Sequence, residues 1–370
     1  MERAEQEFSR LELDLNNCRT NYRYFRSKLR PETKMLVLVK ANAYGHGAVE
    51  FAAMMRDMGA DYLAVAYPME GVELRQGGIM SPILVLTAGC DFFPEIIDYQ
   101  LEPGIPNLYT LEGLCEELKA KGRKNFPIHI KLDTGMHRLG FVPSEIPDLI
   151  AYLKSTDLVK VVSVYSHLAA ADEPQHDDFT LSQIEMFRQG AESIGQALGY
   201  KPMWHILNSA GIERFTQYQF DMVRLGIGIY GVSAVPGIHL APVASFKSEV
   251  LQVKTLRPED GTIGYGRHGV IPPEGMTIAT IPVGYADGLD RHLGCGRAKF
   301  LLNGHLVPTV GNICMDMCML DVTGVPVSVG DHLTIFGENP TVEELAEILG
   351  TIPYEILTSV PRRIRRVVVK

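Results

Sequence analysis

The run Met35-Leu36-Val37-Leu38-Val39 ends in Lys40 and continues as Ala41-Asn42-Ala43-Tyr44-Gly45-His46-Gly47. Five consecutive apolar residues before a glycine-punctuated loop predict a strand buried on both faces, the kind that parallel sheets contain. A lysine just past such a strand sits at the mouth of a dry core, where its ammonium loses hydration and its pKa falls. That suits it to Schiff-base and proton-transfer chemistry. A lone strand-ending lysine more commonly snorkels to water. The tyrosine four residues on and the Gly-His-Gly after it set this one apart.

The same rhythm extends along the chain. Short apolar runs at 35–39, 62–66, 83–87, 102–107, 128–133, 161–167, 204–208 and 222–226 alternate with helix-like stretches such as 49–58, 111–121, 179–198 and 209–215. Pro103, Gly104 and Pro106 make the fourth run a poor strand. Eight β-then-α units over roughly 200 to 250 residues predict a (β/α)₈ TIM barrel, an α/β fold. Periodicity alone leaves a doubly wound open sheet standing beside it. Residues 231–245, with two prolines and two glycines, read as a linker. Beyond it, short strands at 246–255, 277–282, 299–302, 317–321 and 332–336 predict a mostly-β second domain. One helix is expected at 341–349, with Thr341 and Glu344 forming a capping box. The alternating stretch 8–15 fits a strand added to that second domain.

With 370 residues, 46% hydrophobic and 21% charged, the chain has the composition of a globular protein with a large core. A net charge of −9 and the lack of a Lys/Arg stripe argue against a nucleic-acid partner. No run reaches the length of a membrane span, and the polar, acidic start of the chain does not resemble a targeting peptide. Six scattered cysteines read as free thiols of a cytoplasmic protein, without a zinc pattern. The basic cluster Arg362, Arg363, Arg365 and Arg366 reads as a solvated face.

Side chains at the C-terminal ends of barrel strands converge on one rim. Here those ends bring Lys40, then Lys131 and Arg138 around Asp133-Thr134-Gly135-Met136-His137-Arg138-Leu139-Gly140. Ser166-His167, Asn208-Ser209-Ala210-Gly211 and Arg224-Leu225-Gly226-Ile227-Gly228-Ile229-Tyr230-Gly231 follow. The last stretch matches G-x-G-x-x-G, but a proline-rich linker stands where a dinucleotide site needs a helix. A phosphate cradle is the better account, with Ser209 adding a hydroxyl and a helix N-terminus. A phosphate site and an activated lysine on one rim imply pyridoxal 5′-phosphate held covalently by Lys40. Arg224 is placed to face the pyridine nitrogen. Being always protonated, it leaves that nitrogen bare and weakens the ring as an electron sink, which disfavours transamination. His167 is expected to pack on the ring or relay a hydrogen bond, and His205 to orient its neighbours. His46 and His137 read as solvated loop residues. Inversion at Cα needs a second acid/base on the opposite face. Ile263-Gly264-Tyr265-Gly266, Val283-Gly284-Tyr285-Ala286-Asp287-Gly288 and Gly311-Asn312-Ile313-Cys314-Met315-Asp316-Met317 are its candidate sources.

Taken together, these motifs resemble the alanine racemase family along essentially the whole chain. The resemblance implies a barrel at 14–238, a β-rich domain at 239–370 joined by the N-terminal strand 1–13, and a head-to-tail homodimer. It implies that Lys40 carries the cofactor and acts as base toward the D-enantiomer, while Tyr265 of the partner subunit is the base toward the L-enantiomer. Tyr44, Ser209, Gly226, Ile227 and Tyr354 match its phosphate site. Arg138 matches a contact to the cofactor phenolate and substrate carboxylate, and the Met315 amide matches a carboxylate donor. Tyr285 and Asp316, with Tyr354, match the gate of the site. Lys131 matches a position that is carbamylated in members, where the added charge holds Arg138. The chain departs from the common pattern at Asn312, where many members carry Arg, and at His137, in a loop often occupied by glycine.

The leading expectation is therefore an enzyme that racemises alanine and supplies D-alanine for the cell wall. A serine racemase is the alternative within the class, though Tyr354 is bulky where a hydroxymethyl group needs room. An amino-acid decarboxylase on the same plan is a second alternative, with Cys314 beside Asp316 in its favour and Arg224 against it. A non-enzymatic cofactor-binding barrel leaves the second domain unexplained.

Overall fold

The computed structural model describes residues 8–369, so the polar stretch 1–7 lies outside the described residues. The first strand, β1 (Ser9–Asp14), leads into the helix Leu15–Ser27. Asp14 starts that helix: its carboxylate accepts from the Asn16 and Asn17 amides at 2.8 and 2.9 Å.

Eight parallel strands follow: β2 (Lys34–Leu38), β3 (Tyr62–Val65), β4 (Ile83–Val85), β5 (Glu102–Ile105), β6 (Phe126–Lys131), β7 (Val159–Tyr165), β8 (Met203–His205) and β9 (Met222–Leu225). They pair in sequential order, and β9 returns to pair with β2. The remaining seam is bridged by the Asp221 amide donating to Trp204 O at 3.1 Å and the Arg224 amide donating to Leu207 O at 3.0 Å. The sheet is therefore closed, a TIM barrel rather than an open sheet. Met35 to Val39 are buried throughout, as the apolar run requires. The doubtful β5 is a strand for a local reason: a Cβ on Gly104 would lie 2.4 Å from the Tyr165 hydroxyl, so only glycine admits that ring. The helix Leu15–Ser27 closes the outer layer near β9, with Phe25 so tight against Gly228 that a Cβ there would sit 2.3 Å from its ring.

The C-terminal part is β-rich. A six-stranded sheet runs His305–Pro308, Lys299–Leu302, His332–Phe336, Ala244–Glu249, β1, Arg365–Val369. In it β1 is antiparallel to Ala244–Glu249 and parallel to Arg365–Val369. A second sheet joins Gln252–Leu256, Met276–Ile281 and Cys318–Asp321. The expected strand 246–255 is thus two strands in different sheets. The break falls at Val250 and Leu251, whose amides donate to Asp331 O and Thr280 O, both at 2.8 Å. The helix Val342–Leu349 begins at the expected capping box, Thr341 and Glu344 bonding each other's amides at 2.7 and 3.2 Å. A second helix, Pro353–Ser359, was not expected from the sequence.

The arginine cluster is not a free solvated face. Arg362 pairs with Glu73 at 2.7 Å, and Arg363 with Asp287 and Asp316 at 2.7 and 2.8 Å. Arg366 donates to Gly45 O at 2.8 Å and to Val360 O at 2.7 Å. Arg362 and Arg366 fasten the C-terminal part onto the barrel, while Arg363 ties together two loops within the C-terminal part. Among the described residues no helix is long and apolar enough to cross a membrane.

Candidate active site

Lys40 begins an unusual turn. Ala41, Asn42, Ala43 and Tyr44 all have φ between 51° and 53°, a short left-handed coil that costs energy at each non-glycine residue. It is held from three sides. Glu70 accepts from the Ala41 amide at 2.6 Å and from the Ala66 amide at 2.7 Å. Asn42 accepts from the Ala48 amide at 3.0 Å. His46 Nδ1 lies 3.1 and 3.0 Å from Ala43 O and Tyr44 O, so it carries a proton and donates to them. Contrary to the solvated-loop reading, His46 is buried against Tyr230 and Phe51, and burial drives its pKa down to about 4. His137, by contrast, is exposed, with φ of 52°.

Lys40 thus leaves β2 in a fixed direction. Burial lowers its pKa, and the Arg138 cation lowers it further, while Glu70 pulls the other way. Lys131, at the end of β6, is buried and pushed down to about 8, first by desolvation, then by Arg138 and Arg224. Its one acidic neighbour, Asp133, is already engaged by the Gly135 and His137 amides at 2.9 and 3.0 Å. Arg138 is exposed and, among the described residues, makes no ion pair or side-chain hydrogen bond.

Arg224 is buried on β9. Its Nη1 donates to His205 Nδ1 at 2.8 Å and His205 O at 3.1 Å. Its Nη2 donates to Ser166 O, Ile206 O and, at 3.2 Å, His167 Nδ1. Burial lowers the guanidinium to about 10, so it stays protonated near neutral pH. His205 and His167 are driven well below the ordinary histidine range, first by burial and then by Arg224, and are neutral acceptors. These bonds all use the two Nη atoms. Among the described residues, the Nε–H has no acceptor.

A cradle lies between β8 and β9. Asn208 caps the helix Ser209–Arg214 through the Gly211 amide at 2.9 Å. That helix is only six residues long, so the expected helix-terminus contribution is minor and the hydroxyl matters more. The expectation of bare glycine amides also needs correcting. The Gly226 and Gly228 amides donate to Ser209 Oγ at 2.9 and 3.3 Å. With both its acceptor directions used, the Ser209 hydroxyl is left to donate outward; the Ile227 amide, between the glycines, is outside this pair. A Cβ on Gly226 would stand 3.2 Å from the Tyr44 hydroxyl and 3.7 Å from Ser209 Oγ. Glycine therefore keeps open a space ringed by hydroxyl donors, which fits a phosphate oxygen. Tyr44 stacks on Tyr230 at 4.6 Å, and Tyr354 from the C-terminal part approaches Tyr44 to 5.9 Å.

Lys40, Tyr44, Lys131, Arg138, His167, Ser209, Arg224, Gly226, Ile227 and Tyr354 are thus linked at one rim. Tyr265, Tyr285, Met315 and Asp316 form a separate face of the C-terminal part. The Tyr285 and Ala286 amides bond Cys314 O and Met315 O, both at 3.0 Å, and Asp316 holds Arg363. Tyr265 is 72% exposed, and among the described residues its side chain makes no hydrogen bond or ring contact. Asn312 fixes that loop through Nδ2 donating to Tyr265 O at 2.7 Å. Glu70 and Arg366 escaped the sequence reading. Glu70 sits at a helix start, where a carboxylate bonding nearby amides is an ordinary cap, and Arg366 lay inside a charge run.

Comparison with known proteins places this geometry. Residues 13–234 match the model for the alanine racemase N-terminal domain, and residues 243–368 that for the alanine racemase C-terminal domain. Alanine racemase 1 of Clostridium acetobutylicum is 36% identical over 97% of this chain and 95% of its own length. Alanine racemase of Methanococcus maripaludis is 37% identical over 96% of this chain and 97% of its own. The solved alanine racemase of Clostridium difficile 630 superposes with a TM-score of 0.92 at 34% identity, covering 98% of this chain and 96% of that one. The closed barrel, the β-rich second part and near-complete coverage agree, and the chain belongs to the alanine racemase family.

Proposed function

We propose that the chain interconverts L-alanine and D-alanine with pyridoxal 5′-phosphate at the barrel rim, as a cytoplasmic head-to-tail homodimer feeding peptidoglycan synthesis. The observation that carries the reading is the meeting of a desolvated lysine, a glycine-opened hydroxyl cradle and a buried arginine on one rim. When bound, the pyridoxal group draws electron density from the substrate Cα and makes its C–H acidic. Lys40 holds that group through its amine and carries a proton on one face of Cα. Ser209, Tyr44, Tyr354, Gly226 and the Ile227 amide hold the phosphate. The Nε–H of Arg224, left without an acceptor, serves the ring nitrogen, with His167 beside it.

Inversion requires that a proton leave one face of Cα and another arrive on the opposite face. Lys40 serves one face only. Tyr265 of the partner subunit supplies the other, which accounts for an exposed tyrosine on a loop fixed by Asn312. Arg138 and the Met315 amide orient the substrate carboxylate, and Tyr285, Asp316 and Tyr354 gate the approach. Lys131, as a carbamate, holds Arg138.

Incubation with pyridoxal phosphate and either L-alanine or L-serine, followed by chiral separation and CO₂ measurement, tests the reaction. D-alanine as the dominant product supports it; CO₂ without a D-enantiomer, or preferential D-serine, overturns it. Mixing Lys40→Ala with Tyr265→Phe protein tests the shared site, because a heterodimer regains one intact site. Activity that stays absent after proven subunit exchange rules sharing out.

A further inference from the structure

We infer that Glu102, His129 and Ser163 are positioning residues for Arg224, forming with His205 one directional hydrogen-bond chain through the barrel that fixes the guanidinium serving the cofactor ring. The inference rests on the reading of Arg224 given above and extends it to three residues far from the rim.

The chain uses one residue from each of five consecutive strands. Glu102 is the first residue of β5, His129 lies within β6, Ser163 within β7, His205 ends β8 and Arg224 lies in β9. The path therefore climbs from the far end of the barrel to the rim as it moves around the wall. His129 Nε2 is 2.8 Å from Glu102 Oε2, His129 Nδ1 is 2.6 Å from Ser163 Oγ, and Ser163 Oγ is 2.9 Å from His205 Nε2. His205 Nδ1 is 2.8 Å from Arg224 Nη1.

Hydrogen-bond bookkeeping allows one proton arrangement. Arginine only donates, so His205 Nδ1 must be bare and its proton sits on Nε2. That proton goes to Ser163 Oγ. Ser163 must then give its own proton to His129 Nδ1, which is therefore bare. The His129 proton sits on Nε2 and is donated to the Glu102 carboxylate. Counting from the carboxylate end gives the same result. Glu102 also accepts from Tyr62. His205 lies flat on Tyr165, at 5.1 Å and 7°, so its ring plane is fixed as well.

Barrel interiors are ordinarily filled by branched aliphatic side chains. A buried polar chain is tolerable only when its donors are satisfied, and here every polar hydrogen along the chain from His205 to Glu102 has an acceptor. It also answers an electrostatic need. Among the described residues Arg224 has no carboxylate in contact, and a buried cation without compensation is costly. The polarised chain places the Glu102 charge at its far end. Without it, Arg224 alone keeps the proton off His205 Nδ1, and a population of rings can carry it there. That opposes two donors at Arg224 Nη1 and turns the guanidinium.

The test is ring-nitrogen NMR of the enzyme as purified, labelled with 15N-histidine and assigned with His129→Asn and His205→Asn proteins. Wild type should show His205 neutral and protonated at Nε2 alone from about pH 6 to 9, well above its depressed range, and His129 carrying its proton on Nε2 with Nδ1 bare. Ser163→Ala and Glu102→Met should each give His205 a population protonated at Nδ1, with kcat reduced about tenfold and KM changed less. Glu102→Gln, which keeps an acceptor oxygen, should restore the wild-type tautomers. An Nδ1 proton on either ring of wild type refutes the chain without any variant. His205 unchanged in both Ser163→Ala and Glu102→Met refutes it as well. Failure of the wild-type protein to take up pyridoxal phosphate would instead refute the reading of Arg224, leaving the tautomers as measured.

Discussion

Supplying or withholding CO₂ should change the chemical state of Lys131. An amine attacks CO₂ only when neutral: its nitrogen lone pair bonds the carbon, and one N–H proton is released as the carbamate forms. A lysine at its ordinary 10.5 is about 0.3% neutral at pH 8, whereas Lys131, lowered to about 8, is roughly half neutral. That is a gain of about 150-fold in nucleophile. The same cations that depress the amine stabilise the product. Arg138, Arg224 and Lys40 all repel an ammonium at this position, and all attract a carbamate. Arg138, without a partner in the described structure, gains one.

The assay is 13C NMR of the pyridoxal-phosphate-loaded enzyme in 13C-bicarbonate at pH 8, compared with Lys131→Met, which keeps the side-chain volume. One carbamate resonance per chain is expected in wild type and none in the variant. At a fixed concentration of dissolved CO₂, lowering the pH from 8 to 6 should slow its appearance about 50-fold, following the neutral fraction. The sign follows from the depressed pKa: the reactive neutral form is lost as pH falls through the folded-state value. A missing resonance under saturating bicarbonate, or an equal one in Lys131→Met, refutes the argument. So would a rate that ignores pH over this range.

Three further outcomes are expected. Ser209→Ala leaves the Gly226 and Gly228 amides without their acceptor, so pyridoxal-phosphate affinity, measured by equilibrium dialysis, should fall at least about tenfold. Gly45→Ala sets a Cβ 2.3 Å from Leu357 O at φ of 87°, which should destabilise by about 3 kcal/mol or more in urea unfolding, or displace Pro353–Ser359. Buried His46, already protonated at Nδ1, takes the second proton that charges its ring only near pH 4, whereas the unfolded chain takes it near 6.5. Stability should therefore fall as pH drops through that window, by about 3 kcal/mol more than in His46→Asn, where no imidazole titrates.

The barrel was readable because parallel strands covered on both faces must be apolar almost without interruption, as in 35–39. The rim residues were readable because strand ends converge in a closed barrel, so Lys40, Ser209 and Arg224 had to meet once the strands were placed. The second part was harder. Its sheets mix distant segments, and Arg365–Val369 begins inside a charge run that hides its pairing with β1. The division of 246–255 between two sheets left no local signal beyond a continuing apolar pattern. His46 shows a different blindness. A histidine between two glycines reads as a loop residue, yet it is sealed in by Tyr230 and Phe51, residues distant or separated by a turn. The polar chain inside the barrel was invisible because each member is a single polar residue in its own strand. Only the register of five strands puts Glu102, His129, Ser163, His205 and Arg224 in line.

The charge pattern of the rim separates the reading of this site from its alternatives. Lys40, Lys131, Arg138 and Arg224 converge there in a chain whose net charge is −9, while Asp133 is spent on backbone amides and Glu70 on the turn after Lys40. On the proposed reading such a rim takes a phosphate and a substrate carboxylate, and a carbamate replaces the Lys131 cation beside Arg138. Among the described residues no carboxylate touches Arg224, and in the proposed arrangement its guanidinium, protonated near neutral pH, leaves the pyridine nitrogen bare. Replacing Arg224 with Glu reverses this single feature. Transamination should then rise, read as pyruvate formed per alanine inverted, because a protonated ring holds charge that would otherwise return with a proton to Cα. If Arg224→Glu folds, binds pyridoxal phosphate and makes no more pyruvate than wild type, then Arg224 does not govern the ring, and the case for racemisation over decarboxylation rests on family membership alone.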